Sequence, residues 1–300
     1  MSVIINENTN ILVQGMTGRE GQKATAGMIE SGVKVSAGVT PGKGGQEILE
    51  RPIFNTVAEA LAYDSTINTS VLYVPPLAVL AAAQEALAAG ISTLVIIAEN
   101  VPVKDSVLIL EEAREKNCRV LGPSAIGVLN TKLGKLGSIG KAQESKMYSS
   151  GSIGIISKSG GMCAETALVL TQAGLGQSTI VGIGGDVIVG SNFVDILELF
   201  EQDKETEAVV IFGEIGGFYE HQVAEVVKQK KFSKPVIAFI SGQFAEKLGR
   251  SLALGHAGAI IEGSKTTATA KKQVLKEAGV LVADYHYQIP ELVKQALSNK

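Results

Sequence analysis

One histidine of this 300-residue chain lies in a loop of very small residues. His256 stands in the run Leu-Gly-His-Ala-Gly-Ala, where the glycines and alanines around it carry almost no side-chain bulk. Such neighbours let a second molecule reach the imidazole and let the loop move, and a histidine can act as a base or as a nucleophile. A loop histidine that only caps a backbone group is the alternative. The other two histidines, His221 and His286, lie in polar surroundings and are predicted to be surface residues.

Transient phosphorylation of a histidine needs an anion-binding backbone nearby, and the same half of the chain offers one. The apolar run 152–157 leads into a Lys-Ser-Gly-Gly turn and a helix-like stretch, whose N-terminus presents amide groups and a favourable dipole to a phosphate. Glu214 follows another apolar run, and a carboxylate beside a histidine fixes its tautomer and supports its charge. Glu214 is therefore the predicted partner of His256. The predicted phosphate- or substrate-binding residues are Ser159, Gly160 and Gly161.

A second glycine-rich turn lies near the N-terminus. The apolar run 11–13 is followed by the spacing Gly-x-x-Gly-x-x-Gly and a helix-like stretch, which suits a phosphate. This spacing differs from the Gly-x-Gly-x-x-Gly fingerprint of NAD sites, and the second strand-like run leads to Lys43 in a glycine turn, where an NAD site expects an acid. These features predict a phosphate-rich nucleotide other than NAD. A tight turn with a solvated lysine is the alternative.

Two more strand ends could complete this site. Val74 and Pro75 end the third apolar run, and Ile97, Ala98 and Glu99 end the fourth. Because ligands of parallel sheets bind beyond the carboxyl ends of the strands, these residues could wall a planar base or hold a ribose. Ordinary loops are the alternative at both places.

Several other chemistries are excluded. The chain has no Gly-x-Ser-x-Gly elbow, no Walker A sequence and no closely spaced set of metal ligands, so no hydrolase triad, no ATP-cleaving site and no metal site of its own is predicted. Two cysteines, Cys118 and Cys163, are too few for a disulfide framework or a zinc site and are predicted to be core residues. The net charge of -3 argues against general binding of nucleic acid or membrane surfaces.

Short β-branched runs alternate with helix-like stretches in two series. Continuous apolar strands separated by helices are typical of parallel sheets covered on both faces, so the predicted fold class is α/β. We expect a first domain over residues 1–123, an irregular interdomain connection over 124–151 and a second domain over 152–300. The N-terminus lacks targeting features and the apolar windows are too short to span a bilayer, so a cytoplasmic protein is expected.

Six motifs together resemble the α subunit of succinyl-CoA synthetase, an NDP-forming acid–CoA ligase, over nearly the whole chain. The motifs are Gln-Gly-Met-Thr-Gly at 14–18, Gly-Val-Thr-Pro-Gly-Lys-Gly-Gly at 38–45, Phe-Asn-Thr-Val at 54–57, Gly-Ile-Gly-Gly-Asp at 182–186, Gly-Glu-Ile-Gly-Gly at 213–217 and Gly-His-Ala-Gly-Ala at 255–259. The resemblance implies a Rossmann-like CoA-binding domain followed by a flavodoxin-like ligase domain. The implied CoA-binding residues are Gly15, Thr17, Gly18, Arg19, Glu20, Lys43, Val74, Pro75, Ile97, Ala98 and Glu99.

The resemblance also implies a reaction and a partner. His256 matches the family histidine that carries a phosphoryl group, and Glu214 matches its supporting carboxylate. Phosphate passes from an NTP to the histidine and then to a carboxylate, and the CoA thiol converts the acyl phosphate into a thioester. A partner β subunit of the ATP-grasp type is implied to hold the NTP and Mg²⁺, in an αβ or (αβ)₂ assembly. Succinate is the default acid.

Three stretches depart from succinate-specific relatives and look more like ATP-citrate lyase or citryl-CoA synthetase. Ala164 takes the position of a tyrosine, residues 122–127 read Gly-Pro-Ser-Ala-Ile-Gly, and the stretch 242–255 is longer than usual. Loss of a tyrosine could enlarge the carboxylate pocket. A citrate- or malate-type CoA ligase subunit is therefore the alternative, without carbon–carbon cleavage by this chain. A non-catalytic CoA-binding regulatory module is a third interpretation.

Overall fold

The computed structural model describes residues 3–140, 146–247 and 255–298, which form two seven-stranded sheets with helices on their faces. Residues 141–145 of the expected connection and 248–254 before the histidine loop lie outside the described residues. The first half contains β1 (Asn10–Gln14), α1 (Arg19–Glu30), β2 (Lys34–Val39), β3 (Glu47–Ile48), β4 (Arg51–Phe54), α2 (Val57–Tyr63), β5 (Thr69–Leu72), α3 (Val79–Ala88), β6 (Thr93–Ile96), α4 (Val103–Glu115) and β7 (Arg119–Leu121). The second half contains β8 (Gly127–Asn130), β9 (Gly134–Gly137), β10 (Ser150–Ser157), α5 (Gly160–Gln172), β11 (Gln177–Gly182), α6 (Phe193–Gln202), β12 (Ala208–Glu214), α7 (Tyr219–Lys228), β13 (Val236–Ser241), α8 (Ala268–Glu277), β14 (Leu281–Ala283) and α9 (Ile289–Ser298).

The first sheet has the strand order β3-β4-β2-β1-β5-β6-β7. Its strands pair in parallel except for β3, which is antiparallel to β4. The order reverses at β1, whose two neighbours are β2 and β5. In such sheets ligands bind in the crevice beyond the carboxyl ends of the strands at this reversal. The predicted Rossmann-like α/β architecture of the N-terminal half is confirmed.

The second sheet has the strand order β14-β13-β12-β10-β11-β8-β9. Its five strands from β10 to β14 are parallel to one another. Counted in chain order, their arrangement is 2-1-3-4-5, which is the flavodoxin-like order, and the reversal falls between β10 and β12. The predicted flavodoxin-like domain is confirmed, and its ligand edge is defined by the turns after β10 and β12.

In the segment 124–151 we expected no regular structure, but its described residues contain the strands β8 and β9 and the first two residues of β10. β8 pairs antiparallel with β11 and β9 pairs antiparallel with β8, so both extend the second sheet. Gly127 has φ +113°, and a Cβ there would lie 1.9 Å from the carbonyl oxygen of Leu136. These strands could not be predicted from the segment's sequence, because it is rich in glycine and lysine and lacks alternating β-branched residues. Pairing with β11, which is distant along the chain, forms them instead.

Local sequence explains where helices lie, as α6 illustrates. Its buried residues Phe193, Ile196, Leu197 and Phe200 recur at the spacing that puts apolar side chains on one face of a helix. Asn192 precedes them, and its side-chain oxygen accepts a hydrogen bond from the backbone N–H of the second helical residue at 2.7 Å. A cap of this type stabilises a helix by about 1 kcal/mol. Among the described residues, no helix is long and apolar enough to cross a membrane.

Residues 122–125 tie the two halves together. The backbone N–H of Ser124 donates to the carbonyl oxygen of Ala98, just beyond β6, at 2.8 Å. Gly184, just beyond β11, has φ +103°, and a Cβ on it would lie 2.2 Å from the carbonyl oxygen of Pro123. The strand ends of both sheets therefore meet at this short segment, which brings the two predicted sites to one side of the molecule.

Candidate active site

The histidine loop lies against the carboxyl ends of β10 and β12. Glu214 is the last residue of β12, and its Oε2 accepts a hydrogen bond from Nδ1 of His256 at 2.7 Å. Because an ionised carboxylate can only accept, the proton of the neutral imidazole lies on Nδ1 and Nε2 keeps its lone pair. The side chain of His256 is 31% exposed, whereas that of Glu214 is 9% exposed. The arrangement presents a nucleophilic nitrogen at the surface, supported by a buried carboxylate.

A buried lysine lies on the other side of the same carboxylate. Nζ of Lys158 lies 3.4 Å from Oε1 of Glu214 and 5.8 Å from the centre of the Tyr219 ring. Lys158 is only 3% exposed. In the sequence it stood out only as part of the turn after the apolar run 152–157. A cation that directly follows a buried strand was the available signal that it would pair with a carboxylate.

Charge and burial compete at this pair. Burial acts to raise the pKa of Glu214, but the hydrogen bond from His256 and the charge of Lys158 outweigh it, so the pKa lies below its usual value. The hydrogen bond to Glu214 raises the pKa of His256 above 6.5, while burial and the charge of Lys158 oppose that rise. The carboxylate is thus held ionised, and the imidazole is held more basic than an ordinary histidine.

Glycines let the loops of the site pack against one another. A Cβ on Gly185 would lie 2.4 Å from Cγ of His256, and the backbone N–H of Gly258 donates to the carbonyl oxygen of Gly185 at 2.9 Å. A Cβ on Gly216, whose φ is +85°, would lie 2.1 Å from the carbonyl oxygen of Gly258. The sequence suggested that small residues would open the imidazole to a second molecule. In the structure they also allow close packing of three backbone segments around it.

The predicted phosphate-binding residues lie at the start of α5. Ser159 caps this helix, because its Oγ accepts from the backbone N–H of Met162 at 3.5 Å, and Gly160 and Gly161 are the first two helical residues. The first amides of a helix have no partner within the helix and carry a partial positive charge. Lys158 directly precedes Ser159, so its ion pair with Glu214 connects this helix terminus to the histidine.

The glycine turn after β1 lies at the reversal point of the first sheet. Gly15 has φ +83°, and a Cβ on it would lie 2.3 Å from the carbonyl oxygen of Tyr73, which follows β5. Gly18 is the N-cap residue of α1 and makes no side-chain cap, so the amides of Arg19 and Glu20 begin the helix. Oγ1 of Thr17 donates to a neighbouring hydroxyl, that of Thr40, at 3.2 Å. A bare backbone and an uncapped helix N-terminus here fit a phosphate.

The lysine turn after β2 is shaped by a residue to which no role was assigned. Oδ1 of Asn55 accepts from the backbone N–H of Gly42 at 2.9 Å and of Gly44 at 3.0 Å, on either side of Lys43. A Cβ on Gly44 would lie 2.4 Å from Nδ2 of the same asparagine. Asn55 belongs to one of the motifs noted in the sequence, but its partners lie at least eleven residues away and could not be read from spacing.

The remaining predicted residues follow the two next strands of the first sheet. Val74 and Pro75 come after β5, and Val74 lies next to the glycine turn, 3.3 Å from where a Cβ on Gly15 would be. The residues that come after β6 are Ile97, Ala98 and Glu99. The charge of Glu99 contributes to the raised pKa of His256. The structure therefore brings both predicted clusters into electrostatic reach of each other.

One acidic side chain of the site escaped the sequence analysis. Asp186 follows Gly185 and is 8% exposed, and its Oδ2 has no hydrogen-bond partner among the described residues. Burial raises its pKa, a hydrogen bond from the amide of Val187 opposes this, and the charge of Glu99 raises it further. It was visible in the sequence only as the last letter of a glycine motif.

The structure also tests the predictions made for the two cysteines and the two remaining histidines. Both cysteines are buried, and burial raises the pKa of Cys163 to about 12 and that of Cys118 to about 11, as suits core residues. His221 and His286, predicted to be surface residues, are both partly exposed and partly buried, and burial lowers their pKa values. Nε2 of His286 lies 3.0 Å from the hydroxyl of Thr166. Within the described ranges, no group of three or more histidine, cysteine or acidic side chains could hold a metal ion.

Comparisons with known proteins match both halves of the chain. A CoA binding domain model matches residues 6–100, and a CoA-ligase model matches residues 156–281. The ADP-forming succinate–CoA ligase subunit alpha 1 of Archaeoglobus fulgidus is 42% identical over 297 residues, 99% of this chain and 99% of that protein. The ADP-forming sulfoacetate-CoA ligase subunit SqwL of an Acholeplasma species is 40% identical over 295 residues, 98% of this chain and 98% of that protein.

A solved structure extends the comparison. ATP citrate lyase of Methanosaeta concilii, in complex with (3S)-citryl-CoA, has a TM-score of 0.91 and 27% identity and matches 99% of this chain. The match covers 51% of that lyase chain, so the present chain spans about half its length. The chain thus shares its fold with ATP citrate lyase, one of the proteins that three stretches of its sequence resemble.

These matches and the two-domain fold define the α subunit of an acid–CoA ligase. The chain belongs to the family of succinate–CoA ligase α subunits. The predicted family and ligase class are confirmed. Coenzyme A is its ligand through the CoA-binding half, and a partner subunit belongs to the enzyme because its relatives are subunits of multi-subunit ligases.

Proposed function

We propose that His256 receives the phosphoryl group in an ADP- or GDP-forming acid–CoA ligase whose default acid is succinate. The observation that carries this proposal is the 2.7 Å hydrogen bond between Nδ1 of His256 and Glu214. It leaves Nε2 as the free nucleophile on a partly exposed side chain, and Glu214 also pairs with Lys158, which lies directly before the N-terminal region of α5. A regulatory module that only binds CoA would not need a buried carboxylate and a buried lysine behind a partly exposed imidazole.

The proposed reaction has three group transfers. Nε2 attacks the γ-phosphorus of an NTP, the N–P bond forms, and the bond to the departing NDP oxygen breaks. A carboxylate oxygen of the acid then attacks the same phosphorus, which forms an acyl phosphate and frees the imidazole. Finally the thiol sulfur of CoA attacks the acyl carbon, phosphate leaves and the thiol proton is lost. Glu214 stabilises the positive charge of the phosphorylated ring, and the amides at the start of α5 stabilise its phosphate.

We assign coenzyme A binding to the turns at the carboxyl ends of the first sheet. The close approach of Gly15 to Tyr73 and the uncapped start of α1 fit a phosphate, and Lys43 adds a positive charge. The residues after β5 and β6 would wall the nucleotide and lead its thiol toward His256. Coenzyme A supplies the thiol that becomes the thioester. The assigned residues are Gly15, Thr17, Gly18, Arg19, Glu20, Lys43, Val74, Pro75, Ile97, Ala98 and Glu99.

We propose that the partner is a β subunit of the ATP-grasp type, which holds the NTP and Mg²⁺ in an αβ or (αβ)₂ assembly. The sequence has no Walker A motif, and a nucleotide brought to His256 by another chain fits this observation. Three large apolar side chains, Val187, Phe218 and Ile260, are 47%, 48% and 51% exposed on the three loops that surround the imidazole. Exposed apolar side chains around a site are typical of a surface that a partner protein covers. A cytoplasmic location stays a prediction.

The similar proteins are named for different acid substrates. At 42% identity the relative is named for succinate, and at 40% it is named for sulfoacetate, so overall identity does not select the acid. Ala164, in α5, stands where succinate-specific subunits carry a tyrosine, and ATP citrate lyase shares the fold at a TM-score of 0.91. A citrate- or malate-type CoA ligase is therefore the second candidate. The domain limits 1–123, 124–151 and 152–300 remain our proposal for the organisation around this site.

The test uses the chain assembled with its β partner. Incubation with γ-labelled ATP or GTP is expected to label His256, and His256→Asn is expected to abolish both the label and ligase activity, whereas His221→Asn retains both. Release of NDP is then compared with succinate, citrate, malate and sulfoacetate as acids. Full ligase activity of His256→Asn, or an unlabelled wild-type enzyme, would refute the phosphohistidine. Preference for citrate or malate would select the second candidate.

A further inference from the structure

A buried lysine and a buried glutamate contact the end of strand β12, where Glu214 lies. Lys271 in α8 is 0% exposed and Glu220 in α7 is 1% exposed, and Nζ of the lysine lies 2.5 Å from Oε2 of the glutamate. A Cβ on Gly213, which precedes Glu214, would lie 2.7 Å from Oε1 of Glu220. Strand β12 therefore has a glycine at the point where the side chain of Glu220 passes it. No step of the proposed reaction uses either residue of the pair.

The Lys271–Glu220 pair binds both backbone polar groups of Glu214. Nζ of Lys271 donates to the carbonyl oxygen of Glu214 at 2.7 Å and also to that of Gly216. Oε1 of Glu220 accepts from the backbone N–H of Glu214 at 3.2 Å. The pair thus fixes the chain at the residue whose carboxylate accepts from His256.

Stability alone is a weak reason for such a pair. Taking two charges out of water costs several kcal/mol for each ion, and apolar replacements of a buried ion pair are often neutral or stabilising. Burial lowers the pKa of Lys271, which shows the cost of placing an ammonium there, and the charge of Glu220 opposes that change. What an apolar pair could not do is donate to two carbonyl oxygens and accept from an amide in one loop.

We propose that Lys271 and Glu220 are positioning residues that set the place of Glu214 and, through it, the basicity and orientation of His256. The proposal rests on the proposed function of His256. Among the described residues, the charges that act on this imidazole belong to Glu214, Lys158 and Glu99. The pair reaches the imidazole through Glu214, whose backbone it holds, and Lys271 also interacts electrostatically with Glu214 and Lys158. Its loss turns the carboxylate away from Nδ1.

The test compares two variants with a matched control. Lys271→Met removes the donor, and Glu220→Gln keeps the size of the side chain but removes its charge. The control is Lys272→Met, because Lys272 is the next residue of the same helix, is 8% exposed, and pairs with Asp284 at 3.8 Å on another side. For each full-length chain, NMR follows the titration of His256, and thermal unfolding reports stability.

We expect both Lys271→Met and Glu220→Gln to lower the pKa of His256 toward 6.5, its ordinary value, whereas Lys272→Met keeps the wild-type titration. With the β partner and NTP, labelling of His256 should slow by about tenfold to a hundredfold in the two variants only, because small misplacements of reacting groups cost rates of this order. If Lys271→Met does not fold, the titration of His256 and the labelling rate are judged from Glu220→Gln alone.

A wild-type titration in a folded Glu220→Gln chain would overturn the positioning role, even if stability falls. The titration needs no partner, acid or CoA, so it is independent of the ligase reaction. If the wild-type enzyme is never labelled on His256, the proposed function is refuted. The titration of His256 still tests whether Lys271 and Glu220 position Glu214.

Discussion

Replacement of Gly185 by alanine tests whether the imidazole of His256 is held in place by backbone packing. A Cβ on Gly185 would lie 2.4 Å from Cγ of His256, whereas ordinary contacts of a Cβ lie between 3.4 and 4 Å. The ring must therefore move by about 1 Å or more, since the added carbon is fixed to backbone. The 2.7 Å hydrogen bond from Nδ1 to Glu214 cannot be kept after such a displacement. A misplacement of about 1 Å costs about a hundredfold in rate, or about 2.7 kcal/mol.

The assay is the rate of phosphate incorporation into His256 in the enzyme assembled with its β partner. Gly263→Ala serves as the control, because Gly263 lies seven residues beyond His256, its backbone is extended, and a Cβ there meets nothing within 4 Å. Gly185→Ala should slow labelling about a hundredfold, and Gly263→Ala should leave the labelling rate unchanged. Thermal unfolding of both variants shows whether the loss is local to the site.

Two results would refute this reasoning. Labelling at the wild-type rate in Gly185→Ala would show that the imidazole tolerates displacement, so its placement by the glycine loops would not matter for phosphorylation. Equal losses in Gly185→Ala and Gly263→Ala would show that the effect belongs to the loop as a whole and not to contact with the ring.

Three further predictions concern pH and the CoA turn. Because the pKa of His256 is raised, its protonated form stabilises the fold below pH 6.5, and this stabilisation is lost as the pH rises through the raised pKa. Labelling of His256 needs a neutral Nε2, so labelling rates measured across this pH range should increase with pH. Glu214→Gln removes the carboxylate that raises this pKa, so the increase in labelling should move to lower pH, and its maximum should fall about a hundredfold or more; an unchanged pH profile would contradict the role of the carboxylate. Asn55→Ala removes two hydrogen bonds around Lys43, worth about 1 to 3 kcal/mol together, so the KM for CoA should rise about fivefold or more while labelling of His256 stays the same; a slower labelling rate with unchanged KM would place Asn55 in the other site.

The sequence predicted which strand ends carry the sites better than it predicted how the site is held. His256 and Glu214 are 42 residues apart, yet an apolar run before the carboxylate and a glycine loop around the histidine pointed to one sheet edge. The partnership of Lys271 with Glu220 could not be foreseen, because it joins two helices 51 residues apart and looks like a solvated pair of charges in the sequence. Burial, which decides that it is not solvated, arises only when the helices pack.

The same limit applies to the segment 124–151. Its glycines at positive φ, such as Gly127 and Gly134, give no strand signal of their own, and only the edge of β11 turns them into a hairpin. Local preference was also an incomplete guide for His221 and His286, whose polar neighbours along the chain suggested exposure. Partners brought by the fold, such as Thr166 for His286, partly bury both rings.

The contact between Pro123 and Gly184 has a consequence for protein engineering. The two halves are in direct backbone contact here, because even the single Cβ of an alanine at position 184 would clash with the carbonyl oxygen of Pro123. A chimera that takes its first half from one relative and its second half from another must therefore inherit residues 122–125 and 183–185 from the same parent. The unit that can be exchanged between these ligases is the junction together with either half, and a cut placed inside the junction would separate two surfaces that fit only each other.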